Sequence, residues 1–87
     1  ALKFFEYFQK KKIKFDYCDP YVQEIKTNLI KKKTIKLNYK IFSKYDAIIL
    51  LTSHNIFKQN KIINNSNLII DTRGHFKSFK NKKIHLI

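Results

Sequence analysis

Ala1, Phe5 and Phe8 fall at i, i+4 and i+7 with Phe4 beside them, while Lys3, Glu6, Gln9 and Lys10 take the other side. That spacing predicts an amphipathic helix over residues 1–12. Next, Ile13, Phe15 and Tyr17 alternate with Lys14 and Asp16, the pattern of a strand with one buried face. Asp19-Pro20 ends it, because proline lacks a donor and restricts the residue before it. Residues 21–33 are ambiguous: Tyr21, Val22, Ile25, Leu29 and Ile30 have helical spacing, yet the run Lys31-Lys32-Lys33 belongs in solvent. A short helix and a loop both fit. Residues 34–37 read as a short edge strand, with Asn38 as cap for a helix over 39–45.

The run Ala47-Ile48-Ile49-Leu50-Leu51 is different in kind. Five consecutive apolar residues between Asp46 and Thr52 predict a strand buried on both faces, as in a parallel sheet. A helical turn follows through Ile56, Phe57 and Ile62-Ile63, then a turn cluster at Asn64-Asn65-Ser66-Asn67. Leu68-Ile69-Ile70 is a second doubly buried strand ending at Asp71, and Ile84 and Leu86 against Lys83 and His85 predict a terminal edge strand. The expected order is αβ(α)βαβαβ: one small α/β domain over 1–87, Rossmann-like, with an open parallel sheet and helices on both faces.

Composition agrees with a folded domain, since 44% of the residues are hydrophobic. An 87-residue chain buries only about 60–65% of the surface its unfolded form exposes, so a thin stability margin is expected. No stretch approaches the roughly 20 uncharged apolar residues of a membrane helix, and the first six residues lack a signal-peptide core. A soluble, cytoplasmic protein is expected. The single Cys18 has no partner for an internal disulfide, which fits a reducing compartment, and no base close to it in sequence marks it as a nucleophile. The helix at the first position has no N-cap, and the chain contains no methionine. Both features suggest a chain that begins inside a longer polypeptide, although removal of an initiator methionine would look the same.

The net charge of +13 changes the picture less than its size suggests. Arg73 is the only arginine, and the other basic residues are lysines spread along the chain. Lys, Ile, Asn, Phe and Tyr, all with A/T-rich codons, make up more than half of the sequence. Base composition therefore accounts for much of the lysine. A nucleic-acid binder tends to use arginine as well, whose planar fork reads phosphate and guanine bidentately. A solvated basic surface is the better reading, and nucleic acid is not an expected partner.

Gly74 is the only glycine. A phosphate-cradling loop of the dinucleotide or P-loop kind needs several, so the chain does not bind a nicotinamide cofactor unaided. His54, His75, His85 and Cys18 lack the spacing of a structural zinc site, so no metal is expected, and six scattered acidic residues form no paired-carboxylate or triad pattern. A self-sufficient enzyme is not expected, and no catalytic residue is assigned.

What remains is the sheet edge. Ligands of open α/β sheets bind beyond the carboxyl ends of the strands. Three polar clusters are expected there: Asp19-Pro20-Tyr21, Thr52-Ser53-His54 and Asp71-Thr72-Arg73-Gly74. A lone arginine among lysines suggests a need for guanidinium geometry, with pairing to Asp71 or capping of carbonyls as the plain structural alternative. For Asp19 a turn-forming role before proline outweighs ligand contact, and for His54 orientation of its own loop does.

These residues also carry a resemblance. Tyr17-Cys18-Asp19-Pro20-Tyr21-Val22, then the run from Tyr45 and Asp46 to Thr52 and His54, then Leu68-Ile69-Ile70-Asp71-Thr72-Arg73 resemble the C-terminal domain of the UDP-glucose/GDP-mannose dehydrogenase family. The three motifs stand in the family's order and at its intervals, and the resemblance covers about residues 1–76. The D-T-R form looks most like the branch that oxidises UDP-N-acetylhexosamines, such as UDP-N-acetylglucosamine 6-dehydrogenase. The resemblance implies oxidation of the sugar's C6 alcohol to a carboxylate in two NAD-dependent hydride steps, through a thioester on a cysteine, in nucleotide-sugar and polysaccharide biosynthesis. It also implies NAD held by a separate N-terminal domain, a central helical segment that forms the dimer and carries that cysteine, and a C-terminal domain that closes over the UDP-sugar. By position, Arg73 would face the substrate cleft with Asp71 in support, Thr52 and His54 would shape the neighbouring loop, and Cys18 is not the catalytic cysteine. The partners so implied are the UDP-sugar, the remainder of the dehydrogenase chain and, at full length, a second copy.

Ser53 stands where the family usually has Asp, and Gly74 where it usually has Asn, which is expected to loosen the loop past Arg73. The family's domain starts with a central strand ahead of the first helix, so the resemblance implies a domain truncated on that side. Its exposed edge is expected to leave the chain poorly stable alone. Two readings from other classes stand beside the leading one: a degenerate remnant kept as an interaction module, and a basic nucleic-acid-binding domain.

Overall fold

The computed structural model describes residues 2–52 and 57–87. The chain forms two compact units, Ala1–Leu37 and Asn38–Ile87.

In the first unit, helix α1 (Leu2–Lys10) is followed by an antiparallel hairpin of β1 (Glu24–Lys26) and β2 (Lys31–Lys33). Phe5 is the buried residue of α1 and stacks on Phe15 at 5.3 Å between ring centroids, with Tyr17 at 5.6 Å. Phe8 meets the same Phe15 ring at 5.5 Å. The helix ends in a Schellman arrangement: Ile13 N–H donates to Phe8 O at 2.9 Å and Lys12 N–H to Gln9 O at 3.2 Å, with Lys12 at φ 56°.

Three expectations for this unit need correction. Residues 13–17 are not a strand. The alternation does direct Phe15 and Tyr17 into the aromatic cluster, but a strand also needs a ladder of backbone bonds. Ile35 N–H donates to Tyr17 O and the Lys32 ammonium to Phe15 O, and these do not make a ladder. Residues 21–33 are neither helix nor loop but the hairpin itself, and the edge strand expected at 34–37 lies three residues earlier, as β2. The turn is closed by Thr27, whose Oγ1 accepts from Leu29 N and Ile30 N at 3.1 and 3.0 Å. Lys32 pairs with Ile25 across the hairpin and lies with its ammonium 4.3 Å above the Phe15 ring, so its aliphatic stem serves as an apolar position.

The second unit holds the parallel sheet. A 3₁₀ turn at Tyr39–Lys44 starts at Asn38, whose Oδ1 accepts from Lys40 N at 3.1 Å. The expected cap is in place, with the tighter helix type. Strands β3 (Ile48–Leu50), β4 (Ile69–Asp71) and β5 (Ile84–Leu86) pair in that order, both pairs parallel, with Leu50 opposite Asp71 and Asp71 opposite Leu86. Helix α2 (Gln59–Asn65) lies between β3 and β4 in the chain, the kind of crossover that parallel neighbours require. Lys83 Nζ donates to Ile63 O at 2.9 Å near the end of that helix.

This is the expected small α/β fold, with a three-stranded sheet. The strand expected at 13–17 is not among the three. Burial is also less symmetric than expected: β3 buries Leu50 and half-buries Ile48 and Ile49, whereas β4 buries Ile69 and Asp71. The core consists of Leu50, Phe57, Ile62, Ile69 and Phe76, and Phe76 meets Phe79 edge-on at 5.5 Å.

Candidate functional site

Because β3 and β4 run parallel, the residues that follow them, Leu51-Thr52 and Thr72-Arg73, emerge at one edge of the sheet. Thr72 fastens that edge: its N–H and its Oγ1 both donate to Leu50 O, at 3.1 and 2.7 Å. Arg73 Nε donates to Leu51 O at 2.9 Å, while the side chain stays exposed. This anchors the inner end of the guanidinium and leaves its outer fork at the surface. Thr52 is half-buried beside it.

Asp71 is fully buried. Its Oδ1 accepts from Arg73 N at 3.0 Å and its Oδ2 from Phe76 N at 2.7 Å, so the carboxylate plugs the turn formed by residues 72–76. Burial pushes its pKa up, but the amides of Phe76, Arg73, His75 and Gly74 outweigh burial and hold it below the ordinary carboxylate range. Asp71 therefore supports Arg73 through the backbone. No side-chain pairing between them is needed to explain either residue.

Gly74 has φ +71°, and an added Cβ would meet nothing closer than Lys77 Cδ at 3.9 Å. The demand at this position is conformational, not steric. Asparagine tolerates the same left-handed region, so the turn would also admit asparagine at this position. The amides of Arg73 and Phe76 close the turn onto Asp71, at 3.0 and 2.7 Å.

Asp19 lies in the first unit, and the strand it was expected to terminate is absent. Its Oδ1 accepts from Tyr21 N at 2.7 Å and Val22 N at 3.1 Å, and its N–H donates to Thr34 Oγ1 at 2.9 Å. These are the bonds of a turn-forming aspartate before proline. His54 and Ser53 lie outside the described residues. Cys18 is half-buried, and burial, then the charge of Asp19, pushes its thiol pKa up, the opposite of an activated nucleophile.

Sequence reasoning missed His75 and Gln59. His75 Nε2 lies 3.1 Å from Phe57 O, and Gln59 Nε2 donates to His75 O at 2.7 Å. The 72–76 turn thus grips the segment entering α2 as well as the end of β3. The one available signal was a histidine two residues beyond the lone arginine.

Residues 1–78 match the family model described as the UDP-glucose/GDP-mannose dehydrogenase family, UDP binding domain. The chain belongs to this family. No curated protein and no solved structure matches it. The family's dehydrogenases are NAD-dependent. In the 72–76 turn, which holds the one glycine, the amides of Arg73 and Phe76 are directed at Asp71 and so are not offered to a pyrophosphate. Among the described residues no group of three His, Cys, Asp or Glu side chains is placed to hold a metal ion, and no helix is long and apolar enough to cross a membrane.

Proposed function

We propose that the carboxyl edge of β3 and β4 binds a UDP-sugar, with the Arg73 guanidinium as its principal anion contact and Thr52 and His54 on the neighbouring loop. One observation supports this above the others: Arg73 is tied by Nε to Leu51 O while its side chain remains exposed. A fork anchored at one nitrogen has already lost much of its rotamer freedom and retains charge-assisted donors for a phosphate. With the amides of Arg73 and Phe76 turned inward on Asp71, the turn meets the anion through this side chain and not through those amides.

The reading extends to the whole protein. The chain, 1–87, acts as the C-terminal substrate domain of a cytoplasmic NAD-dependent enzyme that oxidises the C6 alcohol of a UDP-sugar to a carboxylate, for nucleotide-sugar and polysaccharide biosynthesis. The D-T-R strand end favours a UDP-N-acetylhexosamine. The rest of the dehydrogenase chain supplies the dinucleotide site and the reactive cysteine, and the enzyme works as a homo-oligomer. The chemistry of Cys18 supports this division, since its raised thiol pKa suits no nucleophile.

Calorimetric titration of the purified protein with UDP, UDP-glucose and UDP-N-acetylglucosamine tests the proposal. Arg73→Lys keeps the charge but loses the fork, and should weaken UDP binding by about tenfold or more, the worth of a charged hydrogen bond. Equal affinity in the variant, or no nucleotide binding by the wild type, would reject the site.

A further inference from the structure

The 72–76 turn donates to two points of the chain that lies between β3 and α2. Arg73 Nε holds Leu51 O, and His75 Nε2 holds Phe57 O six residues later. A carbonyl only accepts, so His75 must carry its proton on Nε2 in this arrangement. Gln59, at the first position of α2, donates from its side-chain amide to His75 O at 2.7 Å. The His75 ring is also packed edge-on against the buried Phe76 at 5.1 Å, which fixes the ring from the core side.

From this we infer that His75 and Gln59 form a latch that positions Arg73: they hold the 72–76 turn against the start of α2, and so keep the guanidinium seated on Leu51 O in the orientation that meets an anionic ligand. The inference deepens the proposed UDP-sugar site and rests on that reading for its ligand, but not for its geometry. Asp71 shapes the turn from within. The latch sets where the shaped turn sits. Without it, the turn would remain closed on Asp71, yet its tie to the far end of the β3–α2 connection would be lost. Neither residue needs to touch the ligand, so both are positioning residues.

The test uses three variants of the purified protein. His75→Phe keeps the ring against Phe76 and removes the donor, and His75→Gln restores an amide N–H at a similar reach. Gln59→Ala breaks the second bond with His75 untouched, which keeps the inference testable if His75→Phe does not fold. Two readouts are taken. Arg73 is the only arginine of the sequence, so its Nε–H gives one recognisable NMR resonance whose solvent exchange reports the bond to Leu51 O directly. Calorimetry with UDP reports the site. In His75→Phe and Gln59→Ala the Nε–H should exchange at least several-fold faster and UDP should bind about three- to tenfold more weakly, the worth of one ordinary hydrogen bond. His75→Gln should recover both. In an Arg73→Ala background, His75→Phe should change UDP affinity no further, whereas general loosening of the fold would lower it again. Unchanged Nε–H exchange in both latch variants overturns the inference whatever UDP does. Faster exchange in a protein that never binds UDP supports the latch and rejects the UDP-sugar reading instead.

Discussion

The carboxylate of Asp71 is closed off from solvent and receives amides from Arg73 and Phe76 at 3.0 and 2.7 Å, with those of His75 and Gly74 also directed at it. Its charge therefore organises backbone. Because its folded pKa is depressed below the ordinary value of about 3.9, Asp71 binds fewer protons in the folded than in the unfolded protein over the acid range. Its contribution to stability is thus complete above the unfolded pKa and disappears as pH falls through the lower folded one. Asp71→Asn should be less stable by about 1–3 kcal/mol at neutral pH, because the new amide directs N–H at N–H. The deficit should shrink below about pH 4, where the wild-type carboxylate begins to be protonated in the unfolded chain. Thermal melts of both proteins between pH 2 and 7 check this, and a constant deficit across that range would show that the charge of Asp71 is not what holds the turn. The sequence announced Asp71 as a strand end and offered, as the plain alternative to ligand contact, an Arg73 that pairs with Asp71 or caps carbonyls; its bond to Leu51 O is the second of these. It did not show that the carboxylate faces inward, since Asp-Thr-Arg-Gly is compatible with either direction and only the closed turn decides between them.

Among the elements, helix α1 carries an identifiable strain. Its Schellman closure puts Lys12 at φ 56°, a region that costs an ordinary L-residue about 1–2 kcal/mol and glycine almost nothing. Lys12→Gly should therefore raise the melting temperature, by a net gain of about 0.5–1 kcal/mol once the extra freedom of glycine in the unfolded chain is subtracted. A lower midpoint in a denaturant titration would mean that the lysine side chain contributes more than its backbone costs. The same lysine-rich composition explains which elements the sequence revealed and which it concealed. Runs of plain apolar residues, Ile48 to Leu50 and Ile69 to Ile70, gave β3 and β4 directly, and the Ile84 and Leu86 alternation gave β5. The hairpin stayed hidden because β2 is three lysines, and no hydrophobic period is visible in Lys31-Lys32-Lys33. Its period exists only in the structure, where Lys32 is half-buried over Phe15 and its neighbours are exposed. Conversely, Ile13, Phe15 and Tyr17 gave a clean alternation without a strand, because side-chain facing is local whereas a ladder depends on what lies alongside.

For the molecule as a whole, the balance of 19 basic against 6 acidic residues sets a repulsion that no single contact reveals. Lysines occur in both compact units, and the like-charged pair Lys26 and Lys31 stands directly opposite across the hairpin. Folding confines these charges, whereas the unfolded chain spreads them, so net repulsion disfavours the compact state. Added salt acts first on this term, since the Debye length falls from about 30 Å at 0.01 M to about 8 Å at 0.15 M. Internal charge contacts such as the Lys32 ammonium over Phe15 are short-range and partly buried, and lose less over that interval. The melting temperature should therefore rise by a few degrees as sodium chloride goes from about 0.01 to 0.15 M, roughly the effect of 1 kcal/mol on a domain of this size. UDP affinity should fall over the same range, because the same screening weakens attraction between a cationic protein and an anionic nucleotide. The opposed directions separate the two uses of the charge: as a burden on folding and as an attraction for the ligand. A melting temperature that falls with salt would show that specific charge contacts, not the net repulsion, dominate the electrostatics of the fold.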